Sequence, residues 1–177
     1  DNPLDRWVIA RVNEVVAACT DRLENSDSLG ATLAVEAFVD DLTNWYIRRS
    51  RRRFWKSEAD QDKQMAYTTL YYAFVRLIRV LAPMIPFVTE AMYQNLVRNV
   101  QPQAFESVHH TYWPVAETAA GDEERLHQMA LAREIASLGL GARGSVNIKV
   151  RQPLARALVY AEGEHGGLAP ALVEIVA

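Results

Sequence analysis

Apolar residues recur every three or four positions along most of the chain, which is the spacing of helices that bury one face. The first helix is predicted to begin at Pro3, because Asn2 is a capping residue and proline is favoured at the first helical position. Asn25, Ser26 and Asp27 are predicted to end this helix and to cap the next. The apolar positions of the first helix are Leu4, Trp7, Val8, Val12, Val15, Val16, Cys19 and Leu23.

A second helix is predicted from about Ser28 into a run of arginines. When its apolar stripe is continued by three or four residues, it reaches Arg49 and then Arg53, so the buried face becomes basic. Because burying an unpaired charge is costly, we expect this helix to extend beyond the bundle or to bend, and to present its guanidinium groups at a surface. The stripe itself consists of Leu29, Leu33, Phe38, Leu42, Trp45 and Tyr46.

Three further helices follow in the pattern. The third is predicted over about 62–81, and the prolines of LAPMIPF then predict an elbow, because proline breaks the hydrogen bonds of a regular helix. A fourth helix is predicted to run to about Arg98, and the segment 101–119 is predicted to be irregular. The fifth helix begins near Gly121 with acidic residues in its first turn, as the helix dipole favours.

The C-terminal part has a different pattern. Alternation of apolar and polar residues over 146–150 predicts a strand, and 157–160 is a second candidate strand. A turn is predicted over 163–167, and another helix is predicted to begin within 168–176. The predicted fold class is therefore mainly α, with an antiparallel bundle of about five helices followed by a small, incomplete α/β piece.

Size and composition suit one ordinary domain with a small appendage. Of the 177 residues, 50% are hydrophobic and 23% are charged, which is enough apolar material for a sizeable core. We assign the bundle and its connecting segment to 1–119, and the fifth helix with a partial C-terminal subdomain to 120–177. The chain lacks an initiator Met and ends at Ala177 after a short apolar run, so we expect it to be a piece of a longer protein.

Several classes are excluded by what the sequence lacks. No apolar run approaches the roughly 18 residues that a membrane span needs, and the N-terminus lacks the regions of a secretory signal. Cys19 is the single cysteine, so neither an internal disulfide nor a Cys-based zinc site is expected. These points favour a cytoplasmic location without a membrane partner.

The most informative segment is WYIRRSRRRFWK, residues 45–56. From Arg48 to Lys56 six of nine residues are basic, and aromatic residues stand on both sides. The whole chain has a formal charge of −3 and the run contributes +6, which leaves −9 for the remainder. Guanidinium groups fit phosphate, and aromatic faces hold unstacked bases. This pattern favours nucleic-acid binding.

A plainer interpretation is that the run is a solvated face, or that it pairs with carboxylates such as Asp40, Asp41 and Glu58. In that case the chain is a structural or protein-interaction bundle with no direct RNA contact. Trp7 and Trp45 lie on apolar stripes and are predicted to pack in the core, whereas Trp55 is better placed to stack on a base.

No catalytic or metal site is predicted. Gly139, Gly141 and Gly144 spell GxGxxG, but a helix precedes them where the dinucleotide fingerprint needs a strand, so a helix C-cap and turn is the favoured interpretation. His109 and His110 are adjacent and lack a second cluster at metal-ligand spacing. The chemistry of the chain, taken alone, is binding.

Five segments carry a resemblance to a known family. The sequences LDRWVIARVNEVV, FVDDLTNWYIRRSRRRFWKS and LYYAFVRLIRVLAPMIPFVTEAMYQNL resemble the anticodon-binding region of isoleucyl-tRNA synthetase, a class I aminoacyl-tRNA synthetase. SVHHTYWP and IKVRQPLARALV resemble the segments that follow in the same enzyme. The equivalent domain of a valyl or leucyl enzyme is the alternative, because those relatives share the LDRW and LAPMIPF segments but not the arginine run in this form.

The resemblance implies a helix bundle that packs beside the anticodon stem and loop of isoleucine-accepting tRNA. It also implies ATP and magnesium for a parent ligase, whose catalytic domain would belong to the same polypeptide. The signatures of that catalytic domain and the editing domain do not occur here, so this chain is predicted to be non-catalytic and without a cofactor of its own. The implied RNA-binding residues are Arg48, Arg49, Arg51, Arg52, Arg53, Trp55, Lys56, Lys149 and Arg151.

Two qualifications come with that set. Arg49 and Arg53 continue an apolar stripe, so a structural role is the alternative for both. Lys149 and Arg151 are predicted to share one face of the strand over 146–150 and are weaker candidates.

The stretch GLGARGSV, which precedes IKVRQPL, departs from the family pattern. It carries Arg143 as its single charge where relatives show more basic residues. An RNA contact by that stretch is therefore not expected.

Overall fold

The computed structural model describes residues 2–56 and 60–159. The chain divides into two compact units at Gly121, and each is described by itself. The first unit is helical and holds α1 (Pro3–Glu24), α2 (Ser28–Asp40), α3 (Arg51–Trp55), α4 (Gln61–Leu81) and α5 (Pro86–Tyr93). The second unit holds α6 (Asp122–Ser145). The predicted mainly α fold is confirmed.

Capping side chains set the boundaries of α1 and α2. The Asn2 side chain accepts a hydrogen bond from the Leu4 amide at 2.9 Å, and Pro3 occupies the first helical position. Asp27 accepts from the Gly30 amide at 2.8 Å and so begins α2. The hydrogen bond of the Gly30 amide lowers the pKa of the Asp27 carboxyl, and the Arg22 guanidinium lowers it further. The two helices therefore form a hairpin over the predicted three-residue connection.

The core of the first unit lies between α1, α2 and α4. Trp7, Val8, Val15 and Cys19 of α1 are almost completely buried, which confirms the predicted stripe, and burial raises the pKa of the Cys19 thiol. The α2 face in this core is formed by Ala31, Val35 and Phe38. These positions are four and three residues apart, and small Ala31 leaves room for a close approach of α1.

Part of the predicted α2 stripe is wrong. Leu29 and Leu33 are 68% and 54% exposed. Each is two positions from Ala31, about 200° round the helix, so they lie on the side away from α1. Their hydrophobicity misled the prediction, because the alanine and valine of the true contact face are smaller and less conspicuous.

The predicted bend occurs where α2 approaches the arginine run. From Asp41 to Ile47 the helix is π-helical, with one extra residue per turn, and the chain turns at Ser50 before α3 begins. Leu42 and Tyr46 stay buried through the π-helical segment. The extra residue shifts the register, so the stripe that buries Tyr46 no longer leads directly into Arg49.

The LAPMIPF elbow is confirmed as a turn between α4 and α5. Beyond α5 the helix continues as a π-helical segment, Gln94–Arg98, and the irregular connection includes a 3₁₀ turn, Val108–His110. The Glu90 carboxylate holds this connection, because it accepts from the Ser107 hydroxyl at 2.7 Å and the Val108 amide at 2.9 Å. Burial opposes the charged form of Glu90, but these hydrogen bonds outweigh it and lower its pKa.

The second unit differs from the prediction. α6 runs through Gly139, Gly141 and Gly144 to Ser145, so these glycines lie within a helix and not in the predicted C-cap turn. No strand is present among the described residues that follow, 146–159. The strand predicted over 146–150 is therefore wrong. The Arg143 guanidinium donates to the Lys149 and Gln152 carbonyl oxygens at 3.2 and 2.8 Å and holds this stretch as turns.

The second candidate strand is absent over 157–159, and its last residue lies outside the described part of the chain, as do the turn predicted over 163–167 and the helix predicted within 168–176. A lone pair of strands is marginally stable in water, and the described residues offer no partner strand. Within residues 2–56 and 60–159, no helix combines the length and apolarity that crossing a membrane requires.

Candidate nucleic-acid interface

The arginine run is folded into two short stretches on either side of Ser50. Arg48 and Arg49 end the helical continuation of α2, and Arg51 to Trp55 form α3. Phe54 is the buried anchor of α3, and its ring meets those of Tyr46 and Tyr67 edge to face at centroid distances of 6.3 and 5.1 Å. Because one side of α3 faces the core, neighbouring arginines are turned in different directions.

Four arginines of the run, Arg48, Arg49, Arg51 and Arg52, are exposed, and none forms an ion pair with any residue that the structure describes. Arg49 differs from the other three because it lies against a half-buried indole, as described below. Trp55 is also exposed, with 69% of its surface accessible. The Arg51 guanidinium lies over the Trp55 ring at 4.9 Å from its centroid. We call Arg48, Arg51, Arg52 and Trp55 the outer face. It combines three positive charges with an accessible indole.

Arg53 points in the opposite direction and is neutralised inside the fold. Its two terminal nitrogens each donate to one oxygen of the Asp5 carboxylate at 2.7 Å. Its Nε donates to Asp62 at 2.8 Å. The Arg53 side chain is 11% exposed and that of Asp5 is 8% exposed. Burial disfavours the charged guanidinium, but the hydrogen bonds and charge of Asp5, with the charge of Asp62, outweigh it and raise the pKa of Arg53.

Tyr46 completes this arrangement, which we call the inner cluster of Asp5, Tyr46, Arg53 and Asp62. The Tyr46 hydroxyl donates to Asp5 at 2.8 Å and is buried. Burial raises the pKa of Tyr46, and the neighbouring Asp5 carboxylate raises it further. Four helical elements meet here, since the members come from α1, the π-helical segment, α3 and α4.

Lys56 is also paired within the fold. Its ammonium group lies 2.5 Å from Asp60 and 3.2 Å from Asp62. The hydrogen bond to Asp60 raises the pKa of Lys56, and the same bond lowers the pKa of Asp60. These carboxylates open α4, so Lys56 joins the end of α3 to the beginning of α4.

Arg49 is exposed, but its guanidinium lies against an indole of the framework. Its guanidinium lies over the Trp45 ring at 4.1 Å from the centroid, and Trp45 is half-buried. Partial desolvation lowers the pKa of Arg49, and the positive charge of Arg48 lowers it further. Arg49 and Arg51 thus make the same type of stack on two indoles, one held in the fold and one open to solvent.

Lys149 and Arg151 lie in a different backbone setting from the predicted strand. Both are exposed. Because the strand predicted for them is absent, they share no strand face. Both lie in the turn closed by the hydrogen bond from the Gln152 amide to the Lys149 carbonyl oxygen at 2.9 Å.

Among the proposed carboxylate partners of the run, Asp41 pairs with Arg11 at 2.8 Å. Glu58 lies outside the described residues. Sequence reasoning missed the partner that matters most, Asp5. A signal was present, because Asp5 follows Leu4 and precedes Val8 by three positions and so lies on the apolar stripe of α1. Two opposite charges on two apolar stripes indicate a buried pair.

Comparison with known proteins identifies the family. Residues 5–159 match the family model described as the anticodon-binding domain of tRNA ligase. The chain belongs to this family of anticodon-binding domains. That assignment accounts for the helical architecture and places the arginine run in a domain type whose described role is anticodon binding.

Three proteins similar to this domain are named isoleucine–tRNA ligases. The one from Dehalococcoides mccartyi strain 195 is 48% identical over 93% of the chain, and the chain covers 16% of that protein. Those from Clostridium novyi and Thermus thermophilus are each 43% identical, over 90% and 89% of the chain, which covers 15% of each. The resemblance noted from the sequence is confirmed, and the chain spans about one sixth of the length of these relatives.

Proposed function

We propose that this domain binds the anticodon stem and loop of an isoleucine-accepting tRNA, as part of an isoleucine–tRNA ligase. The observation that supports the proposal most directly is the outer face, where Arg48, Arg51 and Arg52 are exposed and lack carboxylate partners among the described residues. The net charge of the chain is −3. An acidic protein that leaves three arginines unneutralised within five residues of its sequence offers a polyanion a local binding surface.

In this proposal the outer face binds RNA through two kinds of contact, charge and stacking. Arg48, Arg51 and Arg52 would contact phosphates, which position the RNA without reading its sequence. Trp55 would offer its ring to an unstacked base of the loop, and base–aromatic stacking is worth about 1–3 kcal/mol per base. Arg49, Arg53 and Lys56 are assigned to the framework in this proposal, because their charged groups are held by Trp45 or by carboxylates. Lys149 and Arg151 remain candidates for secondary contacts.

The rest of the reaction belongs to parts of the ligase that this chain does not contain. In the proposal the parent enzyme uses ATP and magnesium to attach isoleucine to tRNA in the cytoplasm, through a catalytic domain of the same polypeptide. The small share of the relatives' length that the chain covers supports that division. The described residues contain no group of three potential metal ligands, and no catalytic role is assigned to this domain.

Charge reversal on the outer face tests the proposal. Affinity of the 177-residue chain for an isoleucine tRNA transcript is measured by fluorescence titration for Arg52→Glu and for the Arg51→Glu/Arg52→Glu pair. We expect the pair to bind about 100-fold more weakly, from two lost phosphate contacts and the repulsion that replaces them, with an unchanged melting temperature.

Arg22→Glu is the matched control. It makes the same charge change as Arg52→Glu, about 26 Å along α1 from Asp5, in an exposed pair with Asp27. Near-native binding by Arg22→Glu is expected. If reversal at Arg51 and Arg52 leaves affinity at the level of Arg22→Glu, the outer face is not the RNA surface, and a structural or protein-interaction role is favoured.

A further inference from the structure

The orientation of α3 has to come from its tertiary contacts. α3 has five residues, and an isolated helix of that length does not form in water. On one side it follows the turn at Ser50, and on the other it ends at Lys56, whose backbone is extended. α3 is held by the buried Phe54 ring, by the inner cluster around Arg53 and, at its end, by the ion pairs of Lys56 with Asp60 and Asp62.

The Arg53 guanidinium is fixed in direction by three hydrogen bonds. Its pairing with Asp5 is bidentate, and Nε has a third charged bond to Asp62. Paired N–H···O bonds between a planar guanidinium and a carboxylate define a direction as well as a distance. Asp5 is itself held by the Tyr46 hydroxyl at 2.8 Å. The cluster thus defines the rotation of α3 about its own axis.

That rotation decides where the outer face points. Arg51 precedes Arg53 by two positions and Trp55 follows it by two, so each lies about 200° round the helix from Arg53. When Arg53 is held inward, the Arg51–Trp55 stack must point outward. A loss of the Arg53 anchor would let α3 rotate or unwind, and the stack would lose its fixed direction.

We propose that Asp5, Tyr46, Arg53 and Asp62 are positioning residues for RNA binding, because they set the direction in which α3 presents Arg51, Arg52 and Trp55. This inference rests on the proposed function. It assigns to a negatively charged residue, Asp5, a favourable contribution to the binding of a negatively charged ligand.

The sign of that contribution makes the inference testable. Asp5→Asn removes a negative charge, so long-range electrostatics alone would strengthen RNA binding. The positioning role requires the opposite, a loss of about tenfold in affinity, comparable with one lost charge-assisted contact. Glu24→Gln is the matched control, because it removes an exposed negative charge from the same helix and should bind tRNA at least as well as the native chain.

Arg53→Lys separates positioning from direct contact with phosphate. Lysine keeps the charge but lacks the planar fork that joins Asp5 and Asp62. A positioning role predicts that Arg53→Lys binds tRNA about as poorly as Arg53→Met. Direct phosphate contact predicts that Arg53→Lys retains most of the affinity, and that result would overturn the inference.

The experiment titrates an isoleucine tRNA transcript into the native chain and the variants, at a temperature where each is folded. Hydrogen exchange supplies a second readout. The amides of Arg53 and Phe54, which donate to the Ser50 carbonyl, and of Lys56, which donates to that of Arg52, should exchange faster in Asp5→Asn. The amides within α1 and α4 should keep their protection. If Asp5→Asn does not fold, Arg53→Lys and the milder Tyr46→Phe carry the same test.

The outcomes are distinct. Weaker binding by Asp5→Asn with local exchange in α3 supports the inference. Native or stronger binding by Asp5→Asn overturns it while leaving the proposed function intact. An equal increase of exchange in all helices also overturns it, because the effect would then be one of global stability. Absence of salt-dependent tRNA binding by the native chain defeats the proposed function and the inference with it.

Discussion

Arg52 and Arg53 are neighbours in one short helix, but their guanidinium groups lie in different surroundings. Arg52 is exposed and forms no ion pair with a described residue, whereas the Arg53 side chain is mostly buried and pairs with Asp5 and Asp62. The same residue type therefore serves two purposes one position apart. The comparison teaches that a run of like charges is not one site, because the helix turns each successive side chain by about 100°.

The same contrast separates the two arginine–indole stacks. Arg49 lies 4.1 Å from the ring centroid of a half-buried indole, Trp45, whereas Arg51 lies 4.9 Å from that of an exposed indole, Trp55. A cation–π contact stabilises more strongly where water is excluded. We therefore attribute fold stability to the first stack and ligand binding to the second.

The largest expected effect concerns Arg53. Replacing Arg53 with Met leaves the buried Asp5 carboxylate without its ion-pair partner, and breaking a buried pair in this way costs about 3–5 kcal/mol of unfolding free energy. Arg52→Met is the matched control on the outer face and should change stability by less than about 0.5 kcal/mol. Urea unfolding followed by circular dichroism measures both. Equal effects at the two positions would remove the distinction between an inner and an outer side.

The second expected effect concerns the two indoles. Trp45→Ala should lower the free energy of unfolding by about 2 kcal/mol, which is less than a full core truncation because Trp45 is half-buried. Trp55→Ala should leave stability nearly unchanged but weaken tRNA binding about tenfold through the lost base stack. Thermal unfolding and a tRNA titration on the same two variants give the answer. A destabilising Trp55→Ala with native affinity would reverse the assignment.

Much of the fold, but less of the site, follows from the sequence. The caps at Asn2 and Asp27 and the proline elbow act within a few residues, so local rules predict them. The direction of Arg53 depends on Asp5, 48 positions earlier, and the π-helical segment shifts the register between Tyr46 and the run. A prediction that continues the apolar stripe at 3.6 residues per turn assumes a regular α-helix and so misses this shift in register.

The strand predicted over 146–150 failed for a related reason. Alternation of apolar and polar residues describes one strand, but a strand also needs a partner to satisfy its backbone hydrogen bonds. In the described residues the Arg143 guanidinium donates hydrogen bonds to the carbonyl oxygens of Lys149 and Gln152, and no neighbouring strand does so. The sequence pattern gives no information on that competition.

The smallest expected effect is on the pH dependence of stability, and it concerns the Glu90 carboxylate. Glu90 is held by Ser107, Val108 and Gln94, and its pKa in the folded state lies below the ordinary value. Its contribution to stability is therefore present above the unfolded pKa, near pH 4, and is lost as the pH falls through the lower folded value.

Glu90→Gln removes this titration. The decrease in melting temperature between pH 6 and about pH 3 should be smaller in Glu90→Gln than in the native chain. Glu36→Gln, an exposed position on α2, should keep the native pH profile. If Glu90→Gln keeps the native profile as well, the carboxylate does not stabilise the connection in its charged form.

The salt dependence of tRNA affinity tests the central claim most directly, namely that the outer face holds the phosphate contacts. The logarithm of the association constant is plotted against the logarithm of salt concentration for the native chain and for Arg48→Gln/Arg51→Gln/Arg52→Gln. If each arginine makes one phosphate contact, the slope should become shallower by about 2, at about 0.7 per single-strand contact. Parallel lines for the two proteins would contradict the account.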